Sequence, residues 1–406
     1  MATHTKRDNS NLRVMQRHAL SLYFFSIHFE SWDPLNTGID FLNTKITIVF
    51  YIAVMSVGLK GLKSLKPFKL FLLPIIFLFI IQTVSGYIYQ RPGHTDYFSI
   101  VFFLNMIVFL LMLIHQQRDS RALVQALNFY VSGGLIMVCF FLLGIETDYS
   151  FQGRASIFGS NANAVGINLS IVGLLMALRL FVDKKISFNL KLIYLSFAPL
   201  ILFFIASTGS RSSFISFFSG LLVLIIFKKE KPIRKVTSLI IGFFISFLIS
   251  LYFLNNKIIG SRLGRAIDEG DLSGRDELWV TISELANINA LWGIGHTGYS
   301  FETIYLYGQY TSAHNVFVET LITGGVFSLV LIIIFFWKII IRAFSNYKVI
   351  DNVSSLVFLM PITVTVVVAH PFGTKIVWAL FVMIITSQYQ SNMVRTKRIK
   401  NENRQN

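Results

Sequence analysis

The sequence predicts an all-α, polytopic integral membrane protein of about twelve transmembrane helices, with one long extracytoplasmic loop that contains short helices. Hydrophobic residues make up 54% of the 406 residues and charged residues only 14%, whereas soluble domains carry about 25% charged residues. This composition excludes a soluble enzyme, a secreted disulfide scaffold and a disordered chain. The single cysteine, Cys139, also excludes an intrachain disulfide and a thiolate metal cluster.

Apolar runs recur along the whole chain at lengths suited to crossing a bilayer, since about 20 apolar residues span about 30 Å of hydrocarbon. The predicted spans are Ala19–Phe29, Phe41–Leu59, Phe68–Tyr89, Phe98–Ile114, Ala122–Gly144, Ala162–Phe181, Leu190–Ala206, Ser212–Phe227, Val236–Leu254, Asn315–Ile341, Val353–Ala369 and Ile376–Ser387. The first and the last are the shortest. We expect one transmembrane domain, residues 1–406, in which residues 255–313 form an extracytoplasmic loop that folds back as a partial lid.

The basic residues predict the orientation of these spans, because Lys and Arg accumulate on cytoplasmic connections. With the N-terminus in the cytoplasm, 27 of the 36 basic residues lie on inner connections, and the C-terminus is also cytoplasmic. The net charge of +16 therefore reports topology, and a nucleic-acid partner is not expected. Topology does not explain the outer basic residues, which are Lys45, Arg91, Arg154, Arg211, Lys257, Arg262, Arg265, Arg275 and Lys375.

Two of these arginines lie in short outer segments next to predicted spans. Arg154 belongs to segment 153–163, which leads into the sixth span, and Arg211 to the very short turn 207–213 between the seventh and eighth. A turn that short holds Arg211 at the membrane surface, where a guanidinium can bind a lipid-borne diphosphate bidentately and keep its charge. An arginine that only snorkels to lipid headgroups is the competing interpretation.

A third outer arginine, Arg275, lies in segment 273–279, where Ser273 followed by Asp276 predicts the start of a helix. A cation in the first turn opposes the helix dipole, so an anion is expected opposite it. The competing interpretation is a solvated arginine that pairs with Asp276 or Glu277. Leu278, Ile282 and Leu285 then recur on one face, which predicts an amphipathic helix on the bilayer.

The fourth outer segment opens the tenth span with His314, Asn315 and Glu319. His314 lies at the water boundary and is a candidate general base, because the ordinary pKa of histidine is near the working pH. Glu319 lies more than one helical turn deeper, where a carboxylate is costly and usually functional. Asn315 shares its helix face. The competing interpretation of His314 is a polar interfacial residue, and its spacing from His296 does not favour zinc.

Segment 293–298 matches the spacing G-x-G-x-x-G, but we interpret it as a tight turn. A dinucleotide site would need a strand before the glycines and a helix after them, and this segment faces away from cytosolic nucleotides. Tyrosines follow this segment, and for them we favour an interfacial aromatic belt over stacking on sugar faces.

Together these segments resemble the O-antigen ligase/polymerase family of bacterial membrane glycosyltransferases. The resemblance covers about residues 153–325 and is strongest over residues 273–325. It is carried by the Ser-Thr-Gly-Ser-Arg turn ending at Arg211, Gly274-Arg275 with Trp279, the Gly293-Ile294-Gly295 turn, His314-Asn315, and Gly324-Gly325. One departure is Ser160-Asn161-Ala162-Asn163, where relatives often have Pro-Asn.

The resemblance implies the transfer of a glycan from undecaprenyl diphosphate to an acceptor hydroxyl, outside the bacterial inner membrane and without metal or cofactor. Arg211 and Arg275, with Arg154 in a lesser role, would bind the diphosphate. His314 would assist the attacking hydroxyl, with Glu319 and Asn315 as supporting catalytic residues. The expected partners are the lipid-linked donor, a glycan or lipid-core acceptor, membrane lipids and a chain-length regulator protein.

Two alternatives stay open at this point. Within the family, a polymerase would extend a lipid-linked glycan, and a ligase would transfer the glycan to lipid A-core or a protein; we favour the polymerase. From another class, a transporter of lipid-linked oligosaccharides would place charges near mid-bilayer and use paired broken helices. The charges here gather at one outer surface, which favours chemistry over passage.

Overall fold

In the computed structural model the chain is mostly helical. The structure describes residues 2–35, 37–38, 41–57, 65–89, 99–149, 153–183, 185–230, 233, 284–308, 311–368 and 372–402. The α-helices with defined bounds are α1 Ala2–Ser26, α2 Leu42–Val57, α3 Lys69–Ile88, α4 Ile100–Arg118, α5 Ala122–Leu142, α6 Ala162–Val182, α7 Phe188–Ser207, α8 Arg211–Phe227, α9 Gly295–Tyr307, α10 Val316–Ile350, α11 Val353–Val368 and α12 Lys375–Glu402. Two 3-10 turns, Ile27–Phe29 and Lys66–Phe68, and an antiparallel hairpin of β1 Thr147–Tyr149 and β2 Ala155–Ile157 complete the described elements.

Eleven of the predicted spans coincide with described helices, and the ninth, Val236–Leu254, lies outside the described residues. The first helix is much longer than its predicted span, since α1 begins at Ala2. The helices long and apolar enough to cross a membrane are Lys66–Ile88, Ile100–Arg118, Ala122–Leu142, Ala162–Val182, Phe188–Ser207 and Val316–Ile350. Shorter apolar helices are Leu42–Val57, Arg211–Phe227, Val353–Val368 and Lys375–Tyr389. The chain is therefore a helical membrane protein, and the number of twelve spans stays a prediction.

Polar capping residues determine where several of these helices begin. The side chains of Ser99, Asn161, Ser187, Ser210 and Asn315 each accept a hydrogen bond from a backbone N–H in the first turn of the helix that follows. Such a cap satisfies an N–H group that has no partner within the helix. The caps at positions 161, 210 and 315 define the starts of α6, α8 and α10, which carry the candidate site.

The helices pack around an aromatic core and present apolar faces outward. α1 packs on α2 and α5, α8 packs on α6 and α11, and α10 packs on α3, α11 and α12. Within the core, the ring of Phe372 stacks on Phe102 at 5.0 Å and lies 5.4 Å from Trp378. Leu195 and Trp337 are each 62% exposed on outward faces, where a bilayer would cover such side chains.

Polar contacts at the helix ends join connections that the charge pattern assigns to the same side. Arg17 pairs with Asp119 at 2.9 Å and Lys229 pairs with Asp351 at 3.1 Å, all four being at predicted inner ends. At the predicted outer end, Arg154 donates to the carbonyl of Thr208. These contacts agree with the predicted alternation, while the orientation in the membrane stays a prediction.

Candidate active site

Helix α10 is broken at Gly325, shortly after the candidate residues His314 and Glu319. Gly325 has φ 66° and ψ −168°, so α10 consists of a short first part that carries Glu319 and a long second part. Residues 290–294, at the end of the predicted outer loop, close the break. The N–H of Val326 donates to the carbonyl of Ala290 at 2.9 Å, and the N–H of Ile294 donates to the carbonyl of Ile322 at 2.8 Å. The loop therefore satisfies backbone groups that the broken helix leaves unpaired.

Two glycines of this junction are required by close backbone approach. A Cβ atom on Gly325 would lie 2.1 Å from the carbonyl oxygen of Leu291, and one on Gly293 would lie 2.5 Å from the backbone nitrogen of Gly324. Both glycines also have positive φ, which side chains disfavour. The predicted tight turn at residues 293–298 is wrong over most of its length, because residues 295–298 form the first turn of α9 and only residues 293–294 precede that helix. Gly293 joins the end of the predicted outer loop to α10.

The same loop end anchors to α3 through polar side chains. Gln82 donates to the hydroxyl of Thr323 at 2.8 Å, and the hydroxyl of Ser85 donates to the carbonyl of Trp292. A small buried cluster lies beneath it, comprising Leu285, Ile294, Tyr299, Ala313 and Ile322. Leu285 is the member of the predicted amphipathic helix that the structure describes, and it is buried within the protein; Leu278 and Ile282 lie outside the described residues.

Ser312 connects the two main candidate residues at the start of α10. Its hydroxyl donates to Oε2 of Glu319 at 3.0 Å and accepts from the backbone N–H of His314 at 3.2 Å. His314 is half-buried and has φ 51°, a left-handed conformation that is uncommon for a residue with a side chain and recurs at functional sites. Glu319 is only 4% exposed, as its predicted depth requires.

Asn315 has a defined structural role between these residues. Its side-chain oxygen accepts from the N–H groups of Phe317 at 2.9 Å and Val318 at 3.3 Å, which caps α10. The cap fixes the point at which α10 begins, directly after His314 and four residues before Glu319. Its supporting catalytic role stays a prediction.

A cavity of about 410 Å³, here called the Glu319 cavity, lies beside the first part of α10. It combines a buried carboxylate, amide and hydroxyl groups, a histidine and two phenylalanine rings. Its lining includes Gln82, Phe102, His296, Ser300, Ser312, Glu319, Thr320, Thr323, Phe372 and Gly373. Polar groups beside aromatic faces are the features by which proteins bind small polar ligands.

A second cavity of about 290 Å³, here called the His314 cavity, adjoins the first and shares Ser312 and Gly373 with it. Its polar lining differs, because it holds an ion pair and several amides. That lining includes Glu30, Asn161, Asn163, Ser212, His314 and Lys375. His314 and Glu319 thus line neighbouring cavities on the two sides of Ser312.

Arg211 is the first residue of α8, exposed at the end of the short turn that the sequence predicts. The next residue, Ser212, lines the His314 cavity. The turn is built by Ser210, whose hydroxyl accepts from the N–H of Ser213 at 3.4 Å and from its hydroxyl at 2.7 Å. The fold therefore brings the start of α8 to the same cavity as His314.

Arg154 precedes β2 and is half-buried against the turns that surround the site. Its Nε donates to the carbonyl of Thr208 at 2.9 Å, and its Nη2 donates to the side chain of Asn163 at 2.6 Å. The guanidinium thus links the hairpin, the α7–α8 turn and the start of α6. Asn163 itself lines the His314 cavity, so Arg154 positions a cavity residue, and direct diphosphate binding by Arg154 stays a prediction.

The structure brings together some predicted residues and adds others. Arg275 and its segment 273–279 lie outside the described residues, so the predicted meeting of Arg211 with Arg275 stays a prediction. Sequence reasoning missed Ser312, Glu30 and Lys375 as site residues. Lys375 could have been found, because it is one of the outer basic residues that topology does not explain, whereas nothing in the sequence singles out Ser312.

Among the residues that the structure describes, no group of three or more His, Cys, Asp or Glu side chains lies close enough to hold a metal ion. The two cavities are lined by histidines, carboxylates, a lysine, amides and hydroxyl groups.

Comparison with known proteins agrees with the resemblance read from the sequence. A family model described as O-Antigen ligase matches residues 195–333 of the chain. The match contains Arg211, Arg275, His314 and Glu319, and it ends before Lys375. No curated protein matches the chain. The predicted resemblance to the O-antigen ligase/polymerase family is confirmed over this segment.

Proposed function

We propose that the chain transfers a glycan from undecaprenyl diphosphate to an acceptor hydroxyl at the outer face of the bacterial inner membrane. The observation that carries the proposal is the arrangement of His314 and Glu319 on the two sides of Ser312, where two cavities adjoin. The family match over residues 195–333 supports the same reaction class.

The proposed reaction is a single displacement that inverts the anomeric centre. The acceptor oxygen forms a bond to the anomeric carbon, the bond from that carbon to the diphosphate oxygen breaks, and the diphosphate leaves with the electron pair. His314 takes the proton of the acceptor hydroxyl. Glu319 positions His314 through the hydroxyl of Ser312. No oxidant, metal or cofactor is needed to balance the step.

The departing diphosphate needs fixed positive charge in a partly desolvated site. We assign this role to Arg211 and Arg275, with Arg154 as a lesser contributor. Support for Arg211 comes from its neighbour Ser212, which lines the same cavity as His314. We also propose that both termini are cytoplasmic, which agrees with the same-side contacts at the helix ends.

Within the family we favour a polymerase, which would extend one lipid-linked glycan with another, over a ligase acting on lipid A-core or a protein. The sequence Ser-Gly-Arg-Asp-Glu-Leu-Trp at residues 273–279 motivates this choice. Deleting the gene and separating the surface glycan by gel electrophoresis distinguishes the two. Loss of a polymerase leaves single-repeat material on the lipid core, whereas loss of a ligase leaves none.

A transporter of lipid-linked oligosaccharides is the candidate from another class. The observation that favours a transporter is the break in helix α10, because discontinuous helices line many transport sites. Against it, the break at Gly325 is closed by backbone hydrogen bonds with residues 290–294 at the end of the predicted outer loop.

The deciding experiment is reconstitution of the full chain in proteoliposomes with a defined lipid-linked repeat and a choice of acceptors. We expect a new glycosidic bond, detected by mass spectrometry of the product. The matched control is the His314→Ala protein in the same vesicles. Translocation of the donor without any new bond would overturn the proposal in favour of transport.

A further inference from the structure

The start of α12 places a lysine in the wall of the His314 cavity. Lys375 is the first residue of that helix, and its side chain is 13% exposed. Its Nζ pairs with Glu30, which follows the 3-10 turn Ile27–Phe29, and lies 5.2 Å from the ring centre of Phe41. Both members of the ion pair line the cavity with His314 and Ser212.

The position is an unfavourable one for a cation in two respects. Lysine in the first turn of a helix opposes the helix dipole, and burial of an ammonium group costs free energy unless an anion compensates it. Glu30 provides that compensation in the structure. The predicted topology gives no reason for a lysine on the outer side, since basic residues accumulate on the inner side.

The cavity has room for an anionic ligand beside this pair. The cavity has a volume of about 290 Å³. A single water molecule needs only about 10–15 Å³. A phosphate oxygen at Lys375 would replace the carboxylate of Glu30 with another anionic acceptor, so the ammonium group would stay compensated. The amide of Asn163 and the hydroxyl of Ser212 line the same space and can donate hydrogen bonds.

We propose that Lys375 is a further binding residue for the diphosphate of the lipid-linked donor, and that Glu30 is the counter-ion which it exchanges for a phosphate oxygen. This inference rests on the proposed function and extends it, because it names a cation outside the family-matched segment 195–333. It differs from a purely structural ion pair in one respect. Glu30 competes with the ligand for Lys375, so the two residues have opposite effects on binding.

The test uses Lys375→Gln and Glu30→Gln in the full chain, purified in nanodiscs. Inorganic diphosphate is the probe, and its binding is measured as the shift of the thermal unfolding midpoint with concentration. The apparent KM for the lipid-linked donor is measured in parallel. We expect Lys375→Gln to weaken diphosphate binding and raise that KM about tenfold, the loss of one charge-assisted hydrogen bond.

Glu30→Gln should act in the opposite direction and strengthen diphosphate binding several-fold, because the competing carboxylate is removed. Lys375→Arg should keep most of the binding, since the positive charge remains. Lys338→Gln is the matched control: this lysine donates to the carbonyl of Leu70 at the predicted inner end, and its removal should leave diphosphate binding unchanged.

If both glutamine variants lower the unfolding midpoint and neither changes diphosphate binding, the pair is structural and the inference is overturned. It is also overturned if Glu30→Gln weakens binding as much as Lys375→Gln. Failure of the proposed function is separate, since it appears as wild-type protein that forms no glycosidic bond from the lipid-linked donor. The binding measurement does not depend on that reaction.

Discussion

The hydroxyl of Ser312 donates to Glu319 at 3.0 Å while it accepts from the backbone N–H of His314 at 3.2 Å. One small side chain thus fixes a buried carboxylate relative to a histidine with a left-handed backbone. Because the two residues line adjacent cavities, an acceptor in one and a donor in the other would meet at this serine.

The first prediction concerns His314 and Ser312. His314→Ala should abolish transfer, with a loss of about 10² to 10⁴ in kcat, the usual contribution of a general base. Ser312→Ala should lower kcat by about tenfold, because Glu319 loses one hydrogen-bond donor and the start of α10 loses a contact. Steady-state transfer of a defined lipid-linked repeat measures both, with membrane insertion checked on the same samples. Wild-type kcat in His314→Ala would exclude the histidine as the base.

The second prediction concerns the arginines assigned to the diphosphate. Arg211→Ala and Arg275→Ala should each lower transfer by about 10² to 10³, the effect of removing one electrostatic donor, while the protein still inserts. Arg211→Lys should recover only part of the activity, because lysine cannot bind a phosphate bidentately. Full activity of the Arg275→Ala protein would contradict the proposal that Arg211 and Arg275 bind the diphosphate together.

A third prediction concerns the break in α10. Gly325→Ala should destabilise the protein strongly, because the new Cβ would lie 2.1 Å from the carbonyl oxygen of Leu291 and φ is positive. Gly308→Ala is the control for a positive φ in open space, since Gly308 has φ 71° and ψ −5° and no atom lies within 4 Å of its added Cβ. Gly325 has ψ −168°, a conformation that essentially only glycine adopts, so its substitution carries a larger backbone cost in addition to the clash. The free energy of unfolding of the control should fall by only about 1–2 kcal/mol, the cost of a left-handed backbone at a residue with a side chain. Thermal unfolding in detergent measures both, and equal losses would show that the loop does not press on Gly325.

The fourth prediction tests the orientation in the membrane. In a Cys139→Ala background, Tyr149→Cys should react with a membrane-impermeant thiol reagent added to intact spheroplasts, because the β1–β2 hairpin is predicted to lie outside. Lys348→Cys should react only after the membrane is opened. Tyr149 and Lys348 are both exposed on the protein surface. A difference in labelling therefore reports the side of the membrane on which each residue lies. The reverse labelling pattern would invert the predicted topology and place His314 in the cytoplasm.

Much of the fold follows from local patterns. Eleven predicted spans coincide with helices because an apolar run of bilayer length and a capping residue, such as Asn161 or Ser210, act on neighbouring residues alone. The sequence predicts the side of the membrane for residues 147–157 but not their β1–β2 hairpin, since strands of three residues carry too little pattern. The start of α1 at Ala2 is also not predictable from the apolar pattern, because the first half of the helix is polar.

The amino-acid sequence alone is enough to predict a helical membrane protein that resembles the O-antigen ligase family, and it marks His314, Glu319 and Arg211 as candidate site residues. These conclusions rest on composition, spacing and charge, which are readable one segment at a time. The contact of Glu30 with Lys375, 345 residues apart, beside His314 is visible only in the three-dimensional structure. The same holds for the hydrogen bonds by which residues 290–294 close the break at Gly325. Contacts between distant segments depend on how helices pack in three dimensions, and packing leaves no periodic trace in either segment.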